Sequence, residues 1–187
     1  MNGPVVVIVS GPPASGKTTL ARQLARELDL PVLHKDGIKE TLFDSLGWSD
    51  REWSRKLGVT TYRLLYYFLE AQLAAGRPVV VESNFPPEAA ESFRQLQARY
   101  PFRPFQVQCR TEGSVLFARF AARGSAPDRH PGHVDLGALE EFKPLLLKGR
   151  LEALEIGGEL LEIDTTDFLK IDTAWLLSRL RQVLEVS

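Results

Sequence analysis

Val5 to Leu20 reads VVVIVSGPPASGKTTL, and this stretch decides the fold. Val5-Val6-Val7-Ile8-Val9 is apolar without alternation, which suits a central parallel strand covered by helices on both faces. Gly11-Pro12-Pro13-Ala14-Ser15-Gly16-Lys17-Thr18 completes a G-x-x-x-x-G-K-T motif, and Thr19 to Leu28 reads as a helix. The spacing has a mechanical reason. Gly11 and Gly16 permit backbone angles and close approaches that a Cβ would block, so the loop can wrap a polyphosphate with its N–H groups turned inward. Pro12 and Pro13 carry no N–H, which leaves the donors from Ala14 onward. The helix N-terminus adds unpaired N–H groups and a field that favours an anion. Lys17 is placed to reach β- and γ-phosphates, and the Thr18 hydroxyl to ligate Mg²⁺. Gly11 through Thr19 is thus the expected nucleotide cradle.

Outward from that motif, the full 187-residue sequence sets limits. The length predicts one domain over residues 1–187 with a sizeable core. The net charge of −1 supplies no global field toward nucleic acid or a membrane surface. Cys109 is the sole cysteine, so no internal disulfide forms, and its strand position predicts a buried structural thiol. No apolar run approaches the length of a membrane span. The valine-rich N-terminus lacks a basic leader and a cleavage site, and together with the lone cysteine this predicts a cytoplasmic location.

Helical and extended patterns alternate along the chain. Strands are expected at Leu30–His34, Pro78–Asn84, Phe102–Arg110 and Glu159–Asp164. Helices are expected from Asp36, over Thr60–Ala75 with Gly76 as a stop, from Pro86 to about Tyr100, over Glu112–Arg123, over Leu136–Leu154 with an interruption at Pro144, and over Asp172–Leu184. Ser49 or Asp50 caps the helix that carries Trp53 near its start. Residues 124–133 are polar, contain Gly and Pro, and are expected to be mobile. Alternating strands and helices imply a three-layer α/β fold around a five-stranded parallel sheet. Ligands of such sheets collect outside the carboxyl ends of the strands, where Ser10, Asp36, Ser83-Asn84 and Asp164-Thr165 fall.

Several of these residues carry chemistry. Asp36, just past the second strand, reads two ways: a carboxylate that accepts the proton of a hydroxyl acceptor, or a helix cap. Glu82 ends an apolar strand, like the acidic residue that holds Mg²⁺ or contacts substrate; the plain alternative is a charge that terminates a buried strand. Ser83 and Asn84 offer neutral hydrogen bonds to a substrate or to the turn before Pro86. Arg119 and Arg123, four apart on one helix face, precede Arg129 across the polar segment. They suit a lid over a triphosphate at residues 119–133, or a solvated cationic face. His130 and His133 are spaced like metal ligands without an evident third. Trp48, Trp53, Tyr62, Tyr66 and Tyr67 line either an acceptor pocket or the core.

With these pieces assembled, the chain resembles the small P-loop kinases often labelled only as AAA-type ATP-binding proteins or predicted kinases. Relatives include chloramphenicol phosphotransferase, zeta toxins, gluconate kinase and the kinase domain of phage polynucleotide kinase. The resemblance rests on residues 11–18, His34-Lys-Asp-Gly-Ile-Lys-Glu40, Val79-Val-Val-Glu-Ser-Asn-Phe85, Arg119-Phe-Ala-Ala-Arg123 with Arg129-His-Pro-Gly-His133, and Asp164-Thr-Thr166. It implies a strand order of 2-3-1-4-5, Asp36 as general base, Arg123 and Arg129 as lid arginines, Arg119 stacked on the adenine, and Thr165 near the base. Glu82 stands where many relatives carry Asp.

The function expected is ATP-dependent, Mg²⁺-assisted transfer of the γ-phosphate to a hydroxyl of a small molecule such as a sugar, nucleoside or antibiotic. Lys17, Asp36, Arg123 and Arg129 act on the transferring group, Thr18 and Glu82 serve the metal, and Asp36, Glu82 and Asn84 meet the acceptor. A monomer or homodimer that binds neither nucleic acid nor membrane fits this reading. The alternatives are a nucleotide-dependent ATPase or switch with a protein partner, or a 5′-hydroxyl polynucleotide kinase. No N-K-x-D guanine signature is present, which disfavours a GTPase.

Overall fold

The structure, a computed structural model, describes residues 3–127 and 129–185. In chain order its elements are β1 (Val5–Ser10), α1 (Lys17–Leu28), β2 (Val32–His34), α2 (Lys35–Leu46), α3 (Arg51–Ala74), β3 (Val79–Glu82), α4 (Ala89–Arg99), β4 (Arg103–Arg110), α5 (Gly113–Gly124), α6 (Leu139–Lys148), β5 (Glu159–Asp164) and α7 (Thr173–Glu185). The strands form one parallel sheet in the order β2-β3-β1-β4-β5.

β1 lies at the centre of the sheet, and its composition follows from that place. Val5, Val7 and Val9 enter one core with Leu20 and Leu24 of α1 and Leu176 and Leu180 of α7. Val6 and Ile8 enter the opposite core with Leu65, Leu69 and Leu73 of α3 and Phe93 of α4. All five are buried, so neither parity of the strand tolerates a polar residue. A third, smaller cluster of Leu116, Phe120 and Leu146 joins α5 to α6 and packs on Ala14 of the glycine-rich loop. Cys109 sits in the first core, where burial pushes its thiol up to about 12. No described helix is long and apolar enough to cross a membrane.

Several boundaries differ from the sequence reading, each for a physical reason. β2 is three residues long and sits at a sheet edge, with only β3 to pair with. The helix expected near Trp53 and the one expected over Thr60–Ala75 form a single helix, α3, of 24 residues, capped at Asp50, one of the two residues expected there, with the Asp50 carboxylate accepting from Trp53 N at 2.8 Å. α4 begins at Ala89, after a turn over Pro86–Glu88. α6 runs through Pro144 without ending there. The 124–133 segment, expected to be mobile, contains a 3-10 turn at Pro131–His133 that is tied to α2. His133 Nε2 lies 2.8 Å from Glu40, and His130 Nε2 lies 3.2 Å from Asp44, with its ring stacked on Phe43. Position 128 of the expected lid lies outside the described residues, as do the ends of the expected 1–187 domain.

The parallel topology brings the loops after all five strands to one edge of the sheet. There, buried glutamines of β4 hold the irregular stretch before β5. Gln106 Nε2 donates to Leu154 O at 3.0 Å, and its Oε1 accepts from Leu154 N at 2.9 Å. Replacing Gln106 with Leu orphans the Leu154 N–H, while Leu154 O keeps its bond from Ile156 N at 2.9 Å, so urea unfolding of the variant should show a loss of about 1–3 kcal/mol.

Candidate active site

The glycine-rich loop leaves its helix start open. Gly16 is the N-cap residue of α1, in the left-handed conformation at φ 79°, and no side chain caps the helix or places an acid in its first turn. A Cβ on Gly16 would stand 2.1 Å from the Phe168 ring, so glycine is required by space as well as by angle. Ser15 N donates to Pro12 O at 3.3 Å, which closes the loop on itself. The Ser15 hydroxyl is buried without a hydrogen-bond partner among the described residues. An uncapped helix start and an orphaned hydroxyl within a glycine cradle together fit a phosphate group.

Beside the loop, Thr18 Oγ1 donates to Glu82 Oε2 at 3.1 Å and Lys17 Nζ lies 3.7 Å from Glu82 Oε1. Glu82 is 2% exposed. Its burial raises the carboxyl above its ordinary value, while Lys17 and the Thr18 hydroxyl pull the other way. A buried carboxylate touching a threonine hydroxyl at the phosphate end offers only oxygen donors, the set that a hard divalent cation such as Mg²⁺ takes.

Asp36 is not a cap. His34 serves α2 in that role, its Nδ1 accepting from Gly37 N at 3.1 Å. Asp36 instead faces cations: Arg129 at 3.2 Å and Lys35 at 3.8 Å. Burial works against its charge, yet Lys35, His133, Arg129 and Lys17 hold the carboxyl well below the usual carboxylate range. The lid arginines converge on an acid that the sequence did not single out. Asp135 binds Arg129 Nε at 2.7 Å and Arg123 at 3.2 Å. Arg129 also reaches Glu40 at 3.5 Å, and Arg123 Nε is buried without a hydrogen-bond partner.

Two cavities meet here. The larger, about 380 Å³, is lined by Ala14, Gly16, Lys17, Thr18, Thr19, Arg22, His34, Asp36, Gly37, Glu40, Arg119, Arg123 and Arg129. The smaller, about 60 Å³, is lined by Lys35, Lys39, Arg51, Asn84, Phe120, His133, Asp135 and Phe142, with Pro13 as part of its wall. Lys17, Asp36, Arg123 and Arg129 line both.

Most residues singled out in the sequence are therefore neighbours. Asn84 Oδ1 stands 3.5 Å from Lys35 Nζ, and Tyr62 binds Ser83 Oγ at 2.9 Å. Of the other aromatics, Trp48 and Tyr67 are exposed and line neither cavity. Arg119 gives its guanidinium to the carbonyls of Thr165 and Thr166, at 2.8 and 2.7 Å. Thr165 is fully buried, its hydroxyl 2.7 Å from that of Thr111, so its side chain faces the β4–β5 seam rather than either cavity. Asp135, Glu40, Lys39 and Arg51 were missed. The i, i+4 spacing of Lys35 and Lys39 was a usable signal; Asp135 gave none, since its partners are set only by the folded lid.

Residues 6–146 match the model of the AAA domain family. The chain belongs to the AAA domain family. This is the small P-loop kinase family to which the sequence resemblance pointed. Among solved structures, a candidate kinase of Chloroflexus aurantiacus is 40% identical, with 97% of this chain and 98% of that chain covered at a TM-score of 0.87. A sugar kinase of Janibacter shares the fold at 19% identity and a TM-score of 0.56, over 100% of this chain and 96% of its own. A cytidylate kinase of Pyrobaculum islandicum is 44% identical over 43 residues, which span 23% of each chain. The chain thus spans about a quarter of the length of that curated relative.

Within this AAA domain, Lys39 is the least compensated charge. It is 6% exposed, donates to Ser54 Oγ at 2.8 Å, and has no carboxylate within 4.0 Å among the described residues. Burial, then Lys35, brings its amine down from 10.5 to about 8. Between those values the unfolded chain holds a proton that the folded chain has shed, so this group makes stability rise with pH. Urea unfolding across pH 8 to 10.5 should show wild type gaining about 1–3 kcal/mol relative to Lys39→Met.

Proposed function

We propose that this AAA domain is an ATP-dependent phosphotransferase whose acceptor is a hydroxyl of a small molecule. One observation carries the reading. The four residues shared by the two cavities, Lys17, Asp36, Arg123 and Arg129, are those that phosphoryl transfer requires between a donor and an acceptor. The larger cavity, at the open helix start, suits the triphosphate. The smaller one holds the acceptor group.

In this scheme the loop amides and Lys17 hold the β- and γ-phosphates. Asp36 accepts a hydrogen bond from the acceptor hydroxyl and aligns its oxygen on the γ-phosphorus. That oxygen forms the new P–O bond as the bond to the β–γ bridging oxygen breaks, and the hydroxyl proton passes to Asp36. A carboxylate held this low is a weak base, so its main part is orientation, with the proton leaving late. Arg123 and Arg129 neutralise the charge that spreads over the transferring group. Thr18 and Glu82 would hold Mg²⁺, which supplies charge neutralisation of the phosphates when bound. Docking of the lid on α2 keeps water from the transferring group. ADP leaves with the bridging oxygen as its new terminal phosphate oxygen.

ATP consumption measured against a panel of small hydroxyl compounds tests this reading. At least one compound should stimulate it in wild type. Asp36→Asn should keep ATP binding and lose about a hundredfold or more of that stimulated rate. An Asp36→Asn variant with undiminished transfer removes Asp36 from the mechanism. Steady hydrolysis that no acceptor alters sinks the phosphotransferase reading altogether.

A further inference from the structure

The smaller cavity carries a charge excess that the transfer chemistry does not use. Six cations line it, Lys17, Lys35, Lys39, Arg51, Arg123 and Arg129, against two carboxylates, Asp36 and Asp135. Three of the cations attend the triphosphate. Lys35, Lys39 and Arg51 belong to α2 and α3 and lie on the acceptor side.

Their partners are unequal. Glu141 grips Arg51 through both carboxylate oxygens, at 2.8 and 3.1 Å. Lys35 lies 3.8 Å from Asp36 and 3.5 Å from Asn84 Oδ1. Among the described residues, Lys39 has the Ser54 hydroxyl and the face of Phe43, 5.2 Å from the ring centroid, and no carboxylate within 4.0 Å. The two lysines are four apart on one face of α2, where like charges repel. Lys39 itself lines the smaller cavity, so its ammonium borders that space. A buried ammonium without a carboxylate is costly in an empty fold, and a buried anion offsets that cost.

We infer that the acceptor carries an oxyanion, a carboxylate or a phosphate ester, that seats between Lys39 and Lys35 while its hydroxyl meets Asp36. This rests on the phosphotransferase reading and narrows its substrate class to hydroxy acids or phosphorylated alcohols. The cavity of about 60 Å³ has room for a few waters or one such group. Lys39 binds the anion; Arg51, already held by Glu141, supplies field rather than contact.

The test uses the full chain saturated with Mg²⁺ and AMP-PNP, so that the phosphate loop is filled. Inorganic phosphate and acetate are then titrated separately by calorimetry. One of them should bind at a single site in wild type, and Lys39→Met should weaken it at least tenfold while AMP-PNP affinity stays within about twofold. Preference for phosphate points to a phosphate ester, and preference for acetate to a carboxylate. If Lys39→Met fails to fold, as loss of AMP-PNP binding would show, Lys35→Met is read in its place with the same expectation. A wild-type chain that binds AMP-PNP but neither anion, or variants that bind the anion as tightly as wild type, overturn the inference and leave the phosphotransferase reading standing. A wild-type chain that fails to bind AMP-PNP overturns both.

Discussion

Helix α1 begins with N–H groups that no side chain caps among the described residues, and the surrounding architecture keeps them so. β1 must be buried on both faces to aim the loop at that helix, which explains why its valines do not alternate. Gly16 must lack a side chain because Phe168 occupies the space. Ala14 is pressed against the small core of the lid helices, so the loop and the lid share one packing unit. An open helix start is a standing demand for an anion, and the positive charges of Lys17, Arg123 and Arg129 that line the same cavity add to it rather than relieve it.

The lid answers with charges of its own. Asp36, Glu40 and Asp44 stand at successive four-residue steps along α2, on one face. Arg129, His133 and His130 meet them in that order. Asp135 gathers the two lid arginines from within the lid itself. The pairs with Asp36, Glu40 and Asp44 fasten the lid to α2. Arg129 therefore sits within reach both of the proposed acceptor base and of the space where the phosphate would lie.

Much of this was legible in the sequence because it is local. The phosphate loop, its strand and the start of its helix lie within the sixteen residues Val5–Leu20, and the uniform burial of β1 and β3 shows in their apolar runs. The strand order came through the resemblance and matches the sheet, whereas Asp36, Arg123 and Arg129, singled out from their places along the chain, line common cavities. What stayed hidden is long-range. Nothing in the sequence places Asp135 against Arg123 and Arg129, or turns the hydroxyl of Thr165 into the β4–β5 seam. The joining of the helix near Trp53 to the Thr60–Ala75 helix also depends on packing of α3 against β3 and α2. The unpaired state of Lys39 also appears only in three dimensions, since its nearest neighbours in sequence include two carboxylates, Asp36 and Glu40.

The central claim is that the loop grips a polyphosphate tail rather than a base or a sugar. Calorimetric titration of the full chain with ATP, ADP and AMP in the presence of Mg²⁺ tests it most directly. The account predicts one site per chain for ATP and ADP, and a loss of about a hundredfold or more on going to AMP, because removal of the β-phosphate empties the cradle. Equal affinity for ADP and AMP, or no binding of any of the three, would contradict it.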